Sequence, residues 1–144
     1  MYFAYPARFD PDDGMIAVSF RDLPDTHTAG RDLSEAHAMA VDALATTLWF
    51  RLRDGQEIPR ASRPRKGEDL VPVEPAVALK VALIAAASGR RGAAARIARG
   101  LHVDHKEARR LLDPAHPSGV GRMTSALALF GRTATITVER RTAA

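Results

Sequence analysis

Residues 97–112 read Ile97-Ala98-Arg99-Gly100-Leu101-His102-Val103-Asp104-His105-Lys106-Glu107-Ala108-Arg109-Arg110-Leu111-Leu112. The stretch has the layout of two short helices joined by a turn. A helix-turn-helix needs a small residue where its helices touch, and Ala98 supplies it. It also needs apolar residues that lock the pair, and Ile97, Val103, Ala108 and Leu111 have that spacing. Asp104-x-x-Glu107 is a capping box that opens the second helix. Asp113-Pro114 closes it, because the residue before a proline is turned away from helical backbone. The second helix must present polar side chains outward, and His105, Lys106, Arg109 and Arg110 lie on that side. An arginine fork matches the two acceptors of a guanine edge, so these four residues are the candidate DNA contacts. The plainer reading is a helical hairpin whose Arg and Lys are simply solvated. One position departs from the usual pattern. The turn holds His102 where glycine is common, and histidine enters the left-handed region less easily.

The charge around this stretch favours the DNA reading. The chain has 144 residues and a net charge of +4, but the two signs are not mixed evenly. Residues 1–75 carry nine Lys/Arg against thirteen Asp/Glu, a net −4, and residues 76–144 carry twelve against four, a net +8. A basic half is the electrostatic footprint of a polyanion site. The acidic half suits a basic protein partner, or is an ordinary solvated surface. With no cysteine, disulfides, thiol nucleophiles and cysteine metal sites are excluded. The longest apolar run, Val81 to Ala87, is far short of the ~20 residues that span a bilayer. Met1 leads directly into Tyr2-Phe3-Ala4-Tyr5 without a basic leader. A soluble, cytoplasmic protein with no membrane partner is expected.

Working back toward the start, Phe3, Tyr5, Ala7 and Phe9 alternate onto one face of a strand, as do Ile16, Val18 and Phe20. Between them Asp10-Pro11-Asp12-Asp13-Gly14 reads as a turn. Asp22-Leu23-Pro24-Asp25 is expected to interrupt the second strand, with 26–30 a short extended or turn segment. Asp32-Leu33-Ser34-Glu35 is another capping box, opening a helix to about Asp54 with the stripe Leu33, Ala36, Ala40, Leu44 and Leu48. Trp49 and Phe50 are expected in the core, and an exposed aromatic there would instead be an interface anchor. Residues 58–67, rich in Pro, Arg and Ser, read as a loop, and 69–73 as a further strand. The first half is thus a ββ(β)αβ unit. Beyond it, helices are expected over 76–87, 93–99, 104–112 and 119–130, then a β-branched strand over 133–138. The fold class is α+β, with domains at 1–75 and 76–144.

Other chemistries are poorly supported. Asp10, Asp12, Asp13, Asp22 and Asp25 invite a Mg²⁺ nuclease reading, but aspartate is favoured in turns and Asp13-Gly14 is a plain hairpin signal. Two-metal chemistry needs carboxylates held rigidly with the metals ~4 Å apart. The five histidines are scattered, with no His-Glu-x-x-His, Gly-x-Ser-x-Gly or phosphate-binding glycine loop. No metal, cofactor or catalytic residue is expected.

Several motifs together resemble one family. Tyr5-x-Ala7-x-Phe9, the turn ending in Gly14, Val18-Ser19-Phe20-x-Asp22-Leu23-Pro24, Thr28-x-Gly30, Glu35-Ala36, Ala40 and Ala43-Leu44 resemble the N-terminal domain of HicB antitoxins. So do Gly55, Ile58-Pro59, Ser62 and Lys80. From Ala95 through Arg109-Arg110-Leu111-Leu112-Asp113-Pro114 to Ala126-Leu127 and Gly131 the chain is similar to the helix-turn-helix version of that family; another version carries a ribbon-helix-helix. The resemblance implies a partial RNase H-like fold in the first half, without catalytic carboxylates. It implies binding and neutralisation of a HicA-type toxin, a small mRNA-cleaving ribonuclease, by residues 1–75, with Asp22, Leu23 and Pro24 as candidate contacts. It also implies repression of the operon and assembly into dimers or tetramers through the C-terminal half. Arg21 and Ala61 stand where the family usually has proline. An orphan transcription regulator without a toxin, and a metal-dependent RNase H-like nuclease, are the alternative readings.

Overall fold

The alternating runs at the start of the chain pair with each other. In the computed structural model, which describes residues 1–140, β1 (Ala4–Asp12) and β2 (Met15–Phe20) form an antiparallel hairpin with Ala7 opposite Phe20 and Phe9 opposite Val18. Asp13 and Gly14 take positive φ, 46° and 76°, the geometry that matches the twist of the flanking strands. The expected interruption after β2 is brief. β3 (Leu23–Gly30) is a full strand, pairing antiparallel with β2 through a register shift at Ser19/Phe20. β4 (Asp69–Pro72) pairs antiparallel with β1, giving the order β3-β2-β1-β4. Pro24 is tolerated because β3 is an edge strand, which can leave one row of backbone groups unpaired.

One helix covers one face of this sheet. α1 (Leu33–Arg53) opens on Asp32, whose carboxylate accepts from the Glu35 N–H at 2.8 Å. Glu35 reaches back one residue further than expected, accepting from the Arg31 N–H at 2.6 Å and from its guanidinium. Ala36, Ala40, Leu44 and Leu48 are fully buried and pack with Tyr5, Val18, Phe20, Leu23 and Val71, while Leu33 is only half-buried. Phe50 is not in this core. It is 47% exposed, with the Arg53 guanidinium 4.7 Å above its ring. Phe50 lies two residues past Leu48, about 200° round the helix from the buried stripe. Trp49 is half-buried.

Four helices build a second core. α2 (Pro75–Ala87), α3 (Ala93–Leu101), α4 (His105–Leu112) and α5 (Val120–Leu129) bury Leu79, Leu83, Ile97, Ala108, Leu111, Met123 and Leu127 together. α2 serves both cores, since Val77 and Ala78 pack against the sheet cluster and Leu79 and Leu83 belong to the helical one. The chain is α+β, an antiparallel sheet followed by helices. The strand expected at 133–138 is not formed: residues 132–140 have no regular secondary structure, and Ile136 and Val138 are exposed. β-branched residues favour a strand only where another strand completes the ladder, and among the described residues the helical half holds none. Residues 141–144, assigned from sequence to the second domain, lie outside the described residues.

Candidate nucleic-acid interface

The α3–α4 pair has the interlock its sequence demands. Ile97, Ala98, Ala108 and Leu111 are buried in one cluster, with Val103 packed against it. His102 ends α3 in left-handed backbone, φ 53° and ψ 45°, with its N–H on the Ala98 carbonyl. It therefore occupies the conformation that glycine usually provides at a helix C-terminus. Gly100 serves another purpose. A Cβ there would lie 2.5 Å from Leu129 Cδ2, so the bare Cα lets α3 and α5 approach.

The opposite side of α4 is open. His105, Lys106, Arg109 and Arg110 are all exposed, because Ala108 and Leu111 point the other way into the core. The N-terminus of α4 is held by Asp104, which accepts from the Glu107 N–H at 2.7 Å. Glu107 in turn pairs with Arg122 of α5 at 3.2 Å. Arg90 and Arg96 stand 5.8 and 5.6 Å over the Phe130 ring, so these cations brace α3 as well as charging its surroundings. A short helix with a row of cations outward and an apolar seam inward can meet a phosphate backbone and the edges of bases.

The C-terminus of α4 is held by a residue that local pattern does not assign to this site. Lys80, on α2, is 1% exposed. Its Nζ donates to the Arg110 carbonyl (3.2 Å), the Leu111 carbonyl (3.1 Å) and the Ser118 hydroxyl (2.8 Å). The last carbonyls of a helix lack intrahelical partners and carry partial negative charge, so a cation there satisfies both needs. Burial pushes the Lys80 ammonium below the ordinary lysine range, and Asp113 opposes that shift. The sequence did carry a signal, since Lys80 is the one charged residue in the thirteen of α2.

The three candidate toxin contacts fare differently. Leu23 is fully buried in the sheet core, so it offers no surface to a partner. Asp22 accepts from the Ser62 N–H and hydroxyl, both at 2.8 Å, and fastens the loop after α1 to the β2–β3 turn. Pro24 is exposed. Arg21 forms a two-pronged pair with Glu68 at 2.9 Å, and Tyr5 donates to the Pro59 carbonyl at 2.6 Å. The aspartates are spread out: Asp25 takes both oxygens to Arg51 at 2.8 and 2.9 Å, and Asp10 lies 3.5 Å from Arg8. Among the described residues no three His, Asp or Glu form a metal-holding group, and no helix is long and apolar enough to cross a membrane.

An antiparallel sheet unit followed by a helix-turn-helix is the class these elements define. The family described as the HicB-like antitoxin of bacterial toxin–antitoxin systems matches residues 4–82. The chain is 36% identical over 128 residues to antitoxin HicB 2 of Photorhabdus laumondii, covering 89% of this chain and 91% of that one. It is 31% identical to antitoxin HicB of Pseudomonas fluorescens, covering 95% and 94%, and 30% identical to antitoxin HicB of Escherichia coli (strain K12), covering 89% and 94%. The chain belongs to the HicB-like antitoxin family.

Proposed function

We propose that this chain neutralises a HicA-type, mRNA-cleaving toxin and represses its own operon by binding operator DNA through α4, without catalysing a reaction itself. The observation that carries the DNA part is the exposed row His105, Lys106, Arg109 and Arg110 on a helix whose other face is locked against α3. The net −4 of residues 1–75 supports the toxin part. A protein that binds RNA presents a basic surface, and an acidic partner is steered onto it. Residues 1–75 are the proposed toxin-binding domain and 76–144 the proposed DNA-binding and oligomerisation domain, acting in the cytoplasm.

Helix-turn-helix modules usually bind as two-fold dimers to half-sites about one helical turn apart. The exposed Ile136 and Val138 support pairing of 133–138 with its counterpart in a second subunit, as a dimer or tetramer. The function is tested by coexpression with the product of the neighbouring short reading frame. Copurification, relief of growth arrest and a salt-dependent shift of the upstream DNA are expected. A folded chain that neither captures that product nor shifts that DNA overturns the reading.

A further inference from the structure

Near its N-terminus α4 is tied down by Asp104 and by the Glu107–Arg122 pair. The two arginines in its last turn, Arg109 and Arg110, sit at the end that should fray. α4 has only eight residues, and an isolated helix of that length does not hold itself together in water. Besides the buried Leu111, the last turn is held by the Lys80 ammonium, which takes the carbonyl of Arg110 itself, that of Leu111, and Ser118 just before α5. One buried cation thus binds three backbone stretches: α2, the end of α4 and the entry to α5.

We propose that Lys80 is a positioning residue for base recognition, fixing the last turn of α4 so that Arg109 and Arg110 face the groove at a set angle. The inference rests on α4 being the DNA-reading helix. Phosphate contacts tolerate small rotations of a helix, whereas base-edge contacts depend on where the donors sit. Loss of the Lys80 ammonium therefore lowers preference for the operator much more than it lowers binding to DNA in general. Simple destabilisation would weaken both alike.

The chain has no cysteine, so Lys80→Cys introduces a single thiol that can be alkylated in denaturant before refolding. Treatment with 2-bromoethylamine restores an ammonium at the lysine position, and 1-bromopropane installs a side chain of the same shape with no charge. Binding is measured to a duplex carrying the DNA immediately upstream of this reading frame and to a scrambled duplex of equal length and composition. The aminoethyl form is expected to recover the preference of the unmodified protein to within about twofold. The propyl form should lose on the order of tenfold of that ratio, the scale of one charge-assisted hydrogen-bonded contact, while scrambled-DNA binding and toxin capture change little. Equal ratios for the two forms overturn the inference and leave α4 as the reading helix. No operator preference in the unmodified protein overturns both. Should the propyl form fail to refold, Ser118→Ala takes its place: a drop of about threefold in the ratio is expected, and an unchanged ratio overturns the inference.

Discussion

Gly30, the last residue of β3, stands against Ala36 in the first turn and a half of α1. A Cβ built on it would overlap the Ala36 nitrogen and lie 2.6 Å from the Ala36 Cα. Both are helix backbone atoms, so nothing flexible can yield. Gly30→Ala must therefore push strand and helix apart, at a cost of about 2–3 kcal/mol, the upper range for overpacking. The urea midpoint should fall with an unchanged slope. An unaltered midpoint would mean that β3 and α1 separate freely.

His102 predicts a change of the opposite sign. It holds φ 53° without the freedom of glycine, and left-handed backbone costs an ordinary residue roughly 1–2 kcal/mol. Glycine loses more entropy on folding, roughly 0.5–1 kcal/mol relative to alanine. His102→Gly should stabilise the protein by about 0.5–1 kcal/mol, raising Tm by a few degrees. Thermal unfolding followed by circular dichroism checks this, and a lower Tm would show that the imidazole contributes something that the backbone argument omits.

The Arg21–Glu68 pair sets an acid limit. Glu68 accepts from the Arg21 guanidinium and from the Arg65 N–H at 2.7 Å, which holds its pKa at about 2, against an ordinary 4.5. A folded pKa below the unfolded one means that the unfolded state binds the proton first as pH falls. The stabilisation is fully present above pH 4.5 and is lost as pH falls through about 2. Glu68→Gln should lower stability at neutral pH and flatten its decline over that window. Parallel denaturant curves at several pH values test it, and identical pH slopes for the two proteins would refute the linkage.

What the sequence made legible was local. The hairpin, α1 and the α3–α4 interlock follow from periods of two and 3.6 and from caps within four residues of the sites they satisfy. The full length of β3 is hidden in the sequence because Asp22, Pro24 and Asp25 look like turn residues, and the position of β3 at the sheet edge is what makes Pro24 admissible. The 133–138 segment has strand propensity but finds no partner strand in its own half among the described residues, so no strand forms there. Leu23 lies in a candidate contact motif, yet a leucine flanked by Asp22 and Pro24 is equally a core signal, and it is fully buried. Asp22 with Ser62, and Lys80 with α4, join residues 40 and about 30 positions apart. No window along the chain reveals such pairs, although a lone lysine in an apolar helix asks for an explanation.

The final prediction separates roles along α4. Arg109 and Lys106 are both exposed, but their chemistry differs. Arg109 has a planar fork that can engage a guanine edge at two points, whereas the Lys106 ammonium is a compact, flexible charge suited to phosphate. Arg109→Ala should cost about 1–3 kcal/mol of operator binding and relax preference at one base position. Lys106→Ala should weaken operator and scrambled DNA alike, and reduce the salt slope by roughly one counterion per half-site. Neither residue touches the sheet core around Tyr5, Phe20 and Leu48, so toxin capture should be intact in both variants. Affinities for the two duplexes across a salt series, with toxin capture measured in parallel, decide the matter. Full operator preference in Arg109→Ala would show that α4 does not read bases with its last turn.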